Sequence, residues 1–119
     1  MKKGILRELE YYESLEGNIP FQEWFDGLTD KIAQARILIR LERLKGGNPG
    51  DYKGIGIEDA YELRISHGKG YRIYFGVKDD KLIILLYGGD KQSKSQQSED
   101  ISKAKEYWLE YKERNSINE

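Results

Sequence analysis

Arg64 and Arg72 flank the short segment His67-Gly68-Lys69-Gly70, and the rigid donor fork of a guanidinium is shaped to hold a phosphate through paired hydrogen bonds. Alternation decides what these arginines face. Leu63 and Ile65 mark the apolar side of one strand, and Tyr71, Ile73 and Phe75 mark that of the next. Residues directly opposite in an antiparallel pair share a face. That parity pairs Ile65 with Tyr71, Leu63 with Ile73, and Arg64 with Arg72 on the side away from the apolar one. Opposed like charges repel unless an anion lies between them. The anion is either Glu62, diagonal to Arg72 and two residues from Arg64, or the phosphate of a ligand.

Other cations belong to the same region: Lys69 at the hairpin tip, Lys91 and Lys94 after the third strand of a meander, and Lys53 in a glycine-rich loop. Singly, each reads as a solvated surface lysine. Tyr74 alternates onto the face of the two arginines, so the group combines cations for a backbone with a ring that can stack a base, the composition of an RNA site. Histidine is the side chain suited to proton transfer near neutral pH, which makes His67 the candidate acid or base, or simply a turn residue. Neither Gly68-Lys69-Gly70 nor Gly54-Ile55-Gly56 carries a strand into a helix at nucleotide-binding spacing. Asp79-Asp80 reads as a turn and Asp90 as isolated, so no metal site is expected. With one histidine and no cysteine, thiol nucleophiles, disulfides and two-histidine metal cages are excluded. No cofactor is expected.

The elements that must position these residues follow from periodicity. A strand is expected over Gly4 to Tyr12, where polar and apolar residues alternate. Pro20 opens a helix whose Phe21, Trp24, Phe25 and Leu28 share one face, and Gly27 stops it. Thr29 or Asp30 caps a second helix that runs to Gly46-Gly47. Its Ile32, Ala35 and Ile39 form one apolar face and its Ile37, Leu41 and Leu44 another, with a ridge of Arg36, Arg40 and Arg43 between them. Such a helix is either buried with solvated arginines or covered by a partner. Residues 46–59 read as a surface loop rich in glycine. Three strands follow, Ala60 to Ser66, Tyr71 to Val77 and Lys81 to Tyr87, the last apolar on both faces as a central strand would be. A polar stretch through Ser98 then leads to a last helix carrying Ile101, Ala104, Trp108 and Tyr111, and a polar tail from Glu113.

The order β-α-α-β-β-β-α predicts an α+β fold, with a small, mostly antiparallel sheet and helices packed against it. At 119 residues the chain is expected to form a single domain, 1–119. Twenty basic against 21 acidic residues leave a net charge of −1, so any basic site must be local. The longest apolar run, Leu82 to Tyr87, falls far short of the roughly 18 residues a membrane span needs. Lys2-Lys3 is not followed by an apolar signal core. The expected location is the cytoplasm.

The runs Glu62-Leu63-Arg64-Ile65, Gly70-Tyr71-Arg72-Ile73-Tyr74-Phe75, Leu86-Tyr87-Gly88-Gly89-Asp90-Lys91, and Asp100-Ile101 with Ala104 resemble the RelE/ParE superfamily of toxins from bacterial type II toxin–antitoxin modules. Within it the chain is most similar to the phage-derived addiction-module killer, or HigB-like, subgroup. Ile19-Pro20-Phe21, Trp24 and the arginine-bearing helix fit too, so the resemblance spans nearly the whole chain. It implies a RelE-like fold and a metal-independent endoribonuclease, an mRNA interferase, that cuts mRNA on the ribosome and inhibits translation. A cognate antitoxin of helix-turn-helix type would hold it inactive, and operator DNA would be reached only through that antitoxin. The resemblance gives Arg64 and Arg72 phosphate binding and transition-state stabilisation, and matches Lys91, with Lys94 as companion, to a basic residue after the last strand. Relatives often carry a tyrosine or histidine near the last helix, whereas the stretch between Gly88 and Glu106 has only polar and charged types at the corresponding places, and most relatives are basic. The alternatives are a ParE-like, non-enzymatic gyrase inhibitor and a non-toxic module that binds antitoxin.

Overall fold

Arg64 stands opposite Arg72, Leu63 opposite Ile73 and Ile65 opposite Tyr71 in the computed structural model, which describes residues 1–91 and 93–116. The face pattern therefore sets the register, as parity requires. These residues lie on β3 (Ala60–Ile65) and β4 (Tyr71–Lys78). Gly68 and Gly70 in the connecting turn have φ of 56° and 85°, a region glycine enters without steric cost. β5 (Leu82–Asp90) pairs antiparallel with β4 and parallel with β1 (Glu8–Tyr11). β2 (Tyr52–Gly54) pairs antiparallel with β3, which completes the order β1-β5-β4-β3-β2. Ile83, Ile84, Leu85 and Leu86 on β5 are all fully buried, because both faces of this interior strand are covered.

One face is covered by α1 (Pro20–Asp26) and α2 (Lys31–Lys45). Asp30 caps α2, its Oδ1 accepting from the main-chain N–H groups of Ile32 and Ala33 at 3.0 Å each, the usual way of satisfying the first orphan donors of a helix. Phe21, Ala33, Ile37, Leu41 and Leu44 pack on Leu63, Ile65, Tyr71, Ile73, Phe75, Val77, Ile83 and Leu85. The opposite face is covered by α3 (Lys94–Ser116), whose Ala104, Trp108 and Tyr111 pack on Tyr74, Ile84 and Leu86. The Trp108 ring lies so close to Gly76 that a Cβ there has no room, and its Nε1 donates to the Glu58 carbonyl at 2.9 Å.

Several boundaries differ from the sequence expectation. The first strand starts at Glu8, not Gly4. Arg7 is instead buried and donates to the carbonyls of Lys2 and Ile5 nearby in the chain and of Asp80, 73 residues away, a long-range contact that alternation cannot reveal. The stretch 46–59 is not all loop, since Tyr52–Gly54 adds β2 to the sheet edge. β5 continues to Asp90 and α3 begins at Lys94, so the polar stretch after the meander is largely strand end and helix start; Gln92 within it lies outside the described residues. Of the two apolar faces on α2, the one with Ile37, Leu41 and Leu44 is in the core, while Ile32 and Ile39 stay 61% and 50% exposed.

Candidate functional site

The strand register and the β3–β4 turn bring Arg64, His67, Lys69, Arg72 and Lys91 around one cleft of about 360 Å³, together with Asp51. Lys91 arrives there from the end of β5, where its main-chain N–H donates to the Gly70 carbonyl at 3.0 Å. Five of the eight candidate residues are thus gathered. Lys53, Tyr74 and Lys94 do not line the cleft.

Tyr74 is the clearest correction. It is fully buried beneath α3 and cannot stack a base. Burial, with Glu62 and Asp100 nearby, pushes its phenol well above the usual range, and its Oη has no hydrogen-bond partner among the described residues. The face that parity assigns to Arg64, Arg72 and Tyr74 is therefore closed over Tyr74 and open only at its Arg64 end: the Ala104, Trp108, Tyr111 stripe needs an apolar surface, and α1 and α2 already occupy the other side of the sheet. Lys94 is the first residue of α3 and stands apart from the cleft. Lys53 is on β2, with its Nζ 3.6 Å from Glu62 Oε1.

Repulsion between the opposed arginines is resolved by two carboxylates rather than one. Glu62, wholly buried, accepts from Arg72 Nη1 at 2.9 Å through Oε2. Asp51 Oδ1 accepts from Arg64 Nε and Nη2 at 3.1 and 2.7 Å. The Arg64 side chain remains 39% exposed, whereas that of Arg72 is 12% exposed. The hydrogen bond to Asp51 holds the Arg64 guanidinium above its usual range, and the ion pair does not use Nη1.

Arg40, read from sequence as part of a surface ridge, fixes Asp51 in place. It donates to the carbonyls of Arg64 at 2.7 Å, Pro49 at 3.1 Å and Asp51 at 3.2 Å, and the Arg64 N–H donates to the Asp51 carbonyl at 2.9 Å. The loop carrying Asp51 is thereby tied to both α2 and β3.

Two of the remaining cleft groups, His67 and Lys69, are paired in the same way. His67 Nε2 lies 3.2 Å from Asp30 Oδ2. The backbone N–H of Ala33, with His67 a lesser cause, holds the Asp30 carboxyl below its usual range. Lys69 Nζ lies 3.0 Å from Asp90 Oδ2, so Asp90 is not isolated. That hydrogen bond raises the Lys69 pKa, the wrong direction for a general base. Lys91 has no ion-pair partner among the described residues.

Next to Arg72, Gly89 stands opposite it on β5, and the Asp100 carboxyl of α3 packs against Gly89 where a Cβ has no room. Asp100 is 4% exposed, burial raises its pKa, and Gln96 Nε2 donates to its Oδ1 at 3.0 Å. Sequence reasoning missed Asp51, Asp30 as partner of His67, and Asp100. Only Asp30 left a local signal, as a helix cap; the other two act through contacts that exist only once the elements pack. Among the described residues no group of three or more His, Asp and Glu could hold a metal, and no helix is long and apolar enough to cross a membrane.

Residues 23–108 match the model of the family described as Phage derived protein Gp49-like (DUF891), a span that contains every cleft residue. An uncharacterized protein of Haemophilus influenzae is 41% identical over 91 residues, which cover 76% of this chain and 88% of that protein. With the family model covering well over half of the sequence, the chain belongs to the Gp49-like family of phage-derived proteins.

Proposed function

We propose that this protein is the toxin of a toxin–antitoxin module, of the HigB-like kind within the RelE/ParE superfamily, and that it cleaves mRNA on the ribosome without a metal. The observation that carries the reading is the convergence of Arg64, His67, Lys69, Arg72 and Lys91 on one cleft. In this chemistry the ribose 2′-oxygen attacks the adjacent phosphorus. The bond to the 5′-oxygen breaks, a 2′,3′-cyclic phosphate forms, and a proton moves from the 2′-hydroxyl to a base while another is delivered to the leaving oxygen. Arg64, with Nη1 unused by Asp51, and Lys91 supply positive charge where the phosphorane develops negative charge, and Arg72 is a fixed cation behind them. His67, oriented by Asp30, is the proton carrier. A cognate antitoxin of helix-turn-helix type, the ribosome and mRNA are the proposed partners, operator DNA is reached through the antitoxin, and the cytoplasm is the proposed location.

A second reading is favoured by a specific observation. Each arginine already holds a carboxylate, which reduces the net charge available to polynucleotide phosphates. A ParE-like protein that inhibits gyrase through protein contacts needs no free cations in the cleft, and neither does a non-toxic antitoxin-binding module. Primer extension on translated mRNA, run beside a gyrase supercoiling assay, separates these. Discrete cleavage lost in Arg64→Ala supports the ribonuclease, inhibited supercoiling with intact mRNA replaces it with the gyrase reading, and neither effect leaves the non-toxic module.

A further inference from the structure

We infer that a second cleft, on the other side of the β3–β4 turn, receives a guanine base of the RNA strand whose phosphate occupies the arginine cleft. The inference rests on the ribonucleic-acid reading above and deepens it by assigning a base-recognition subsite. This cleft has a volume of about 620 Å³ and is lined by Glu23, Trp24, Asp30, Lys69, Tyr71 and Asp90 among others, a size within the range of about 300–1,000 Å³ common for small-molecule sites. Lys69 and Tyr71 also line the arginine cleft, so the two are neighbours across one ridge, and a nucleotide can place its phosphate on one side and its base on the other.

The chemistry of the two sides differs in the way this division requires. Three carboxylates disfavour phosphate in the second cleft, whereas an uncharged ring is admitted. Trp24, half-buried, rests on Gly88 with no room for a Cβ between them. It is braced by Phe21 and Tyr71 at centroid distances of 5.8 and 6.5 Å, which makes it a fixed aromatic wall of the kind that holds unstacked bases. It takes the stacking role that the buried Tyr74 cannot fill. Asp30 is committed to His67 and to the start of α2, and Asp90 to Lys69. Glu23 is exposed and makes no ion pair among the described residues, so its two oxygens are the acceptors left for a ligand. A carboxylate that accepts two adjacent N–H donors matches the N1–H and N2–H edge of guanine. Adenine, cytosine and uracil do not present that pair.

The test is binding of uncleavable 2′-O-methyl oligouridylates, each carrying one central guanine, adenine or abasic site, to the full chain, followed by titration and by tryptophan fluorescence. The guanine oligomer is expected to bind about tenfold more tightly than the other two and to change the emission of Trp24, since Trp108 is buried. Glu23→Gln is expected to bring guanine to the level of adenine, and Trp24→Phe to keep part of the preference because a smaller ring still stacks. Equal binding of all three oligomers overturns the subsite while leaving the phosphate cleft standing. Binding of none overturns both.

Discussion

Arg72 and Glu62, diagonal neighbours on adjacent strands, form a 2.9 Å hydrogen-bonded ion pair in which the carboxylate is wholly buried and the guanidinium is 12% exposed. Parity places these groups near one another but does not say that α3 closes over them. Once it does, Arg72 becomes as much a structural residue as a candidate for catalysis. Removing one partner of a buried pair leaves the other uncompensated, which is more costly than removing both. Glu62→Ala is expected to destabilise the fold by about 3 kcal/mol, and the double variant Glu62→Gln/Arg72→Gln by less. Urea unfolding of the two variants checks this. An equal loss in both would mean the pair is not coupled.

Arg64 is the better probe of function because its side chain reaches solvent. Arg64→Ala is expected to leave the unfolding midpoint nearly unchanged and to lower RNA cleavage about 100-fold or more, the size of effect seen when a transition-state charge donor is removed. Primer extension gives the rate and thermal unfolding the stability. Undiminished cleavage by the folded variant would remove Arg64 from the mechanism.

Asp51 restrains Arg64, so Asp51→Asn is expected to strengthen single-stranded RNA binding and to steepen its dependence on salt, by a slope of about 0.7 for one added phosphate contact. Filter binding over a salt series measures it. An unchanged slope would show that the released guanidinium does not reach the phosphate backbone.

Asp100 has a pKa raised above 3.8, chiefly by burial. Between the unfolded value and that raised value the native state binds more protons than the unfolded chain, so stability falls as pH rises through the window. Asp30, whose pKa is lowered chiefly by the Ala33 N–H, acts in the opposite sense: its contribution is present above 3.8 and lost as pH falls through the lowered value. Asp100→Asn is expected to flatten the decline and to stabilise the protein at neutral pH. Thermal melts from acid to neutral pH test the sign, and a steeper decline in the variant would contradict it.

Gly76→Ala is expected to destabilise by about 1–3 kcal/mol, because the added methyl meets the Trp108 ring directly and overpacking a rigid core forces one element to shift. Calorimetric unfolding provides the measurement, and a neutral result would mean that α3 can slide without cost.

Much of this arrangement is legible in the residue order. The alternation of Leu63, Ile65, Tyr71, Ile73 and Phe75 specifies the hairpin register to the residue, because a one-position slip would turn every one of these side chains to the wrong face. The two-sided apolar run of β5 marks an interior strand, and Pro20 and Asp30 mark helix starts, because each of these signals acts over only a few positions of chain.

Which polar groups meet is settled only by the packing of the elements against one another. The alternation of Tyr74 with Arg72 suggests a shared open face, yet α3 buries the tyrosine, since the ring of Trp108 and its neighbours had only that side of the sheet on which to dock. The carboxylates of Asp51 and Asp30 reach Arg64 and His67 from segments 13 and 37 residues away. No periodicity encodes such a meeting. Helical and strand patterns record which side of an element avoids water, whereas an ion pair depends on distances between elements that exist only after their apolar faces have packed.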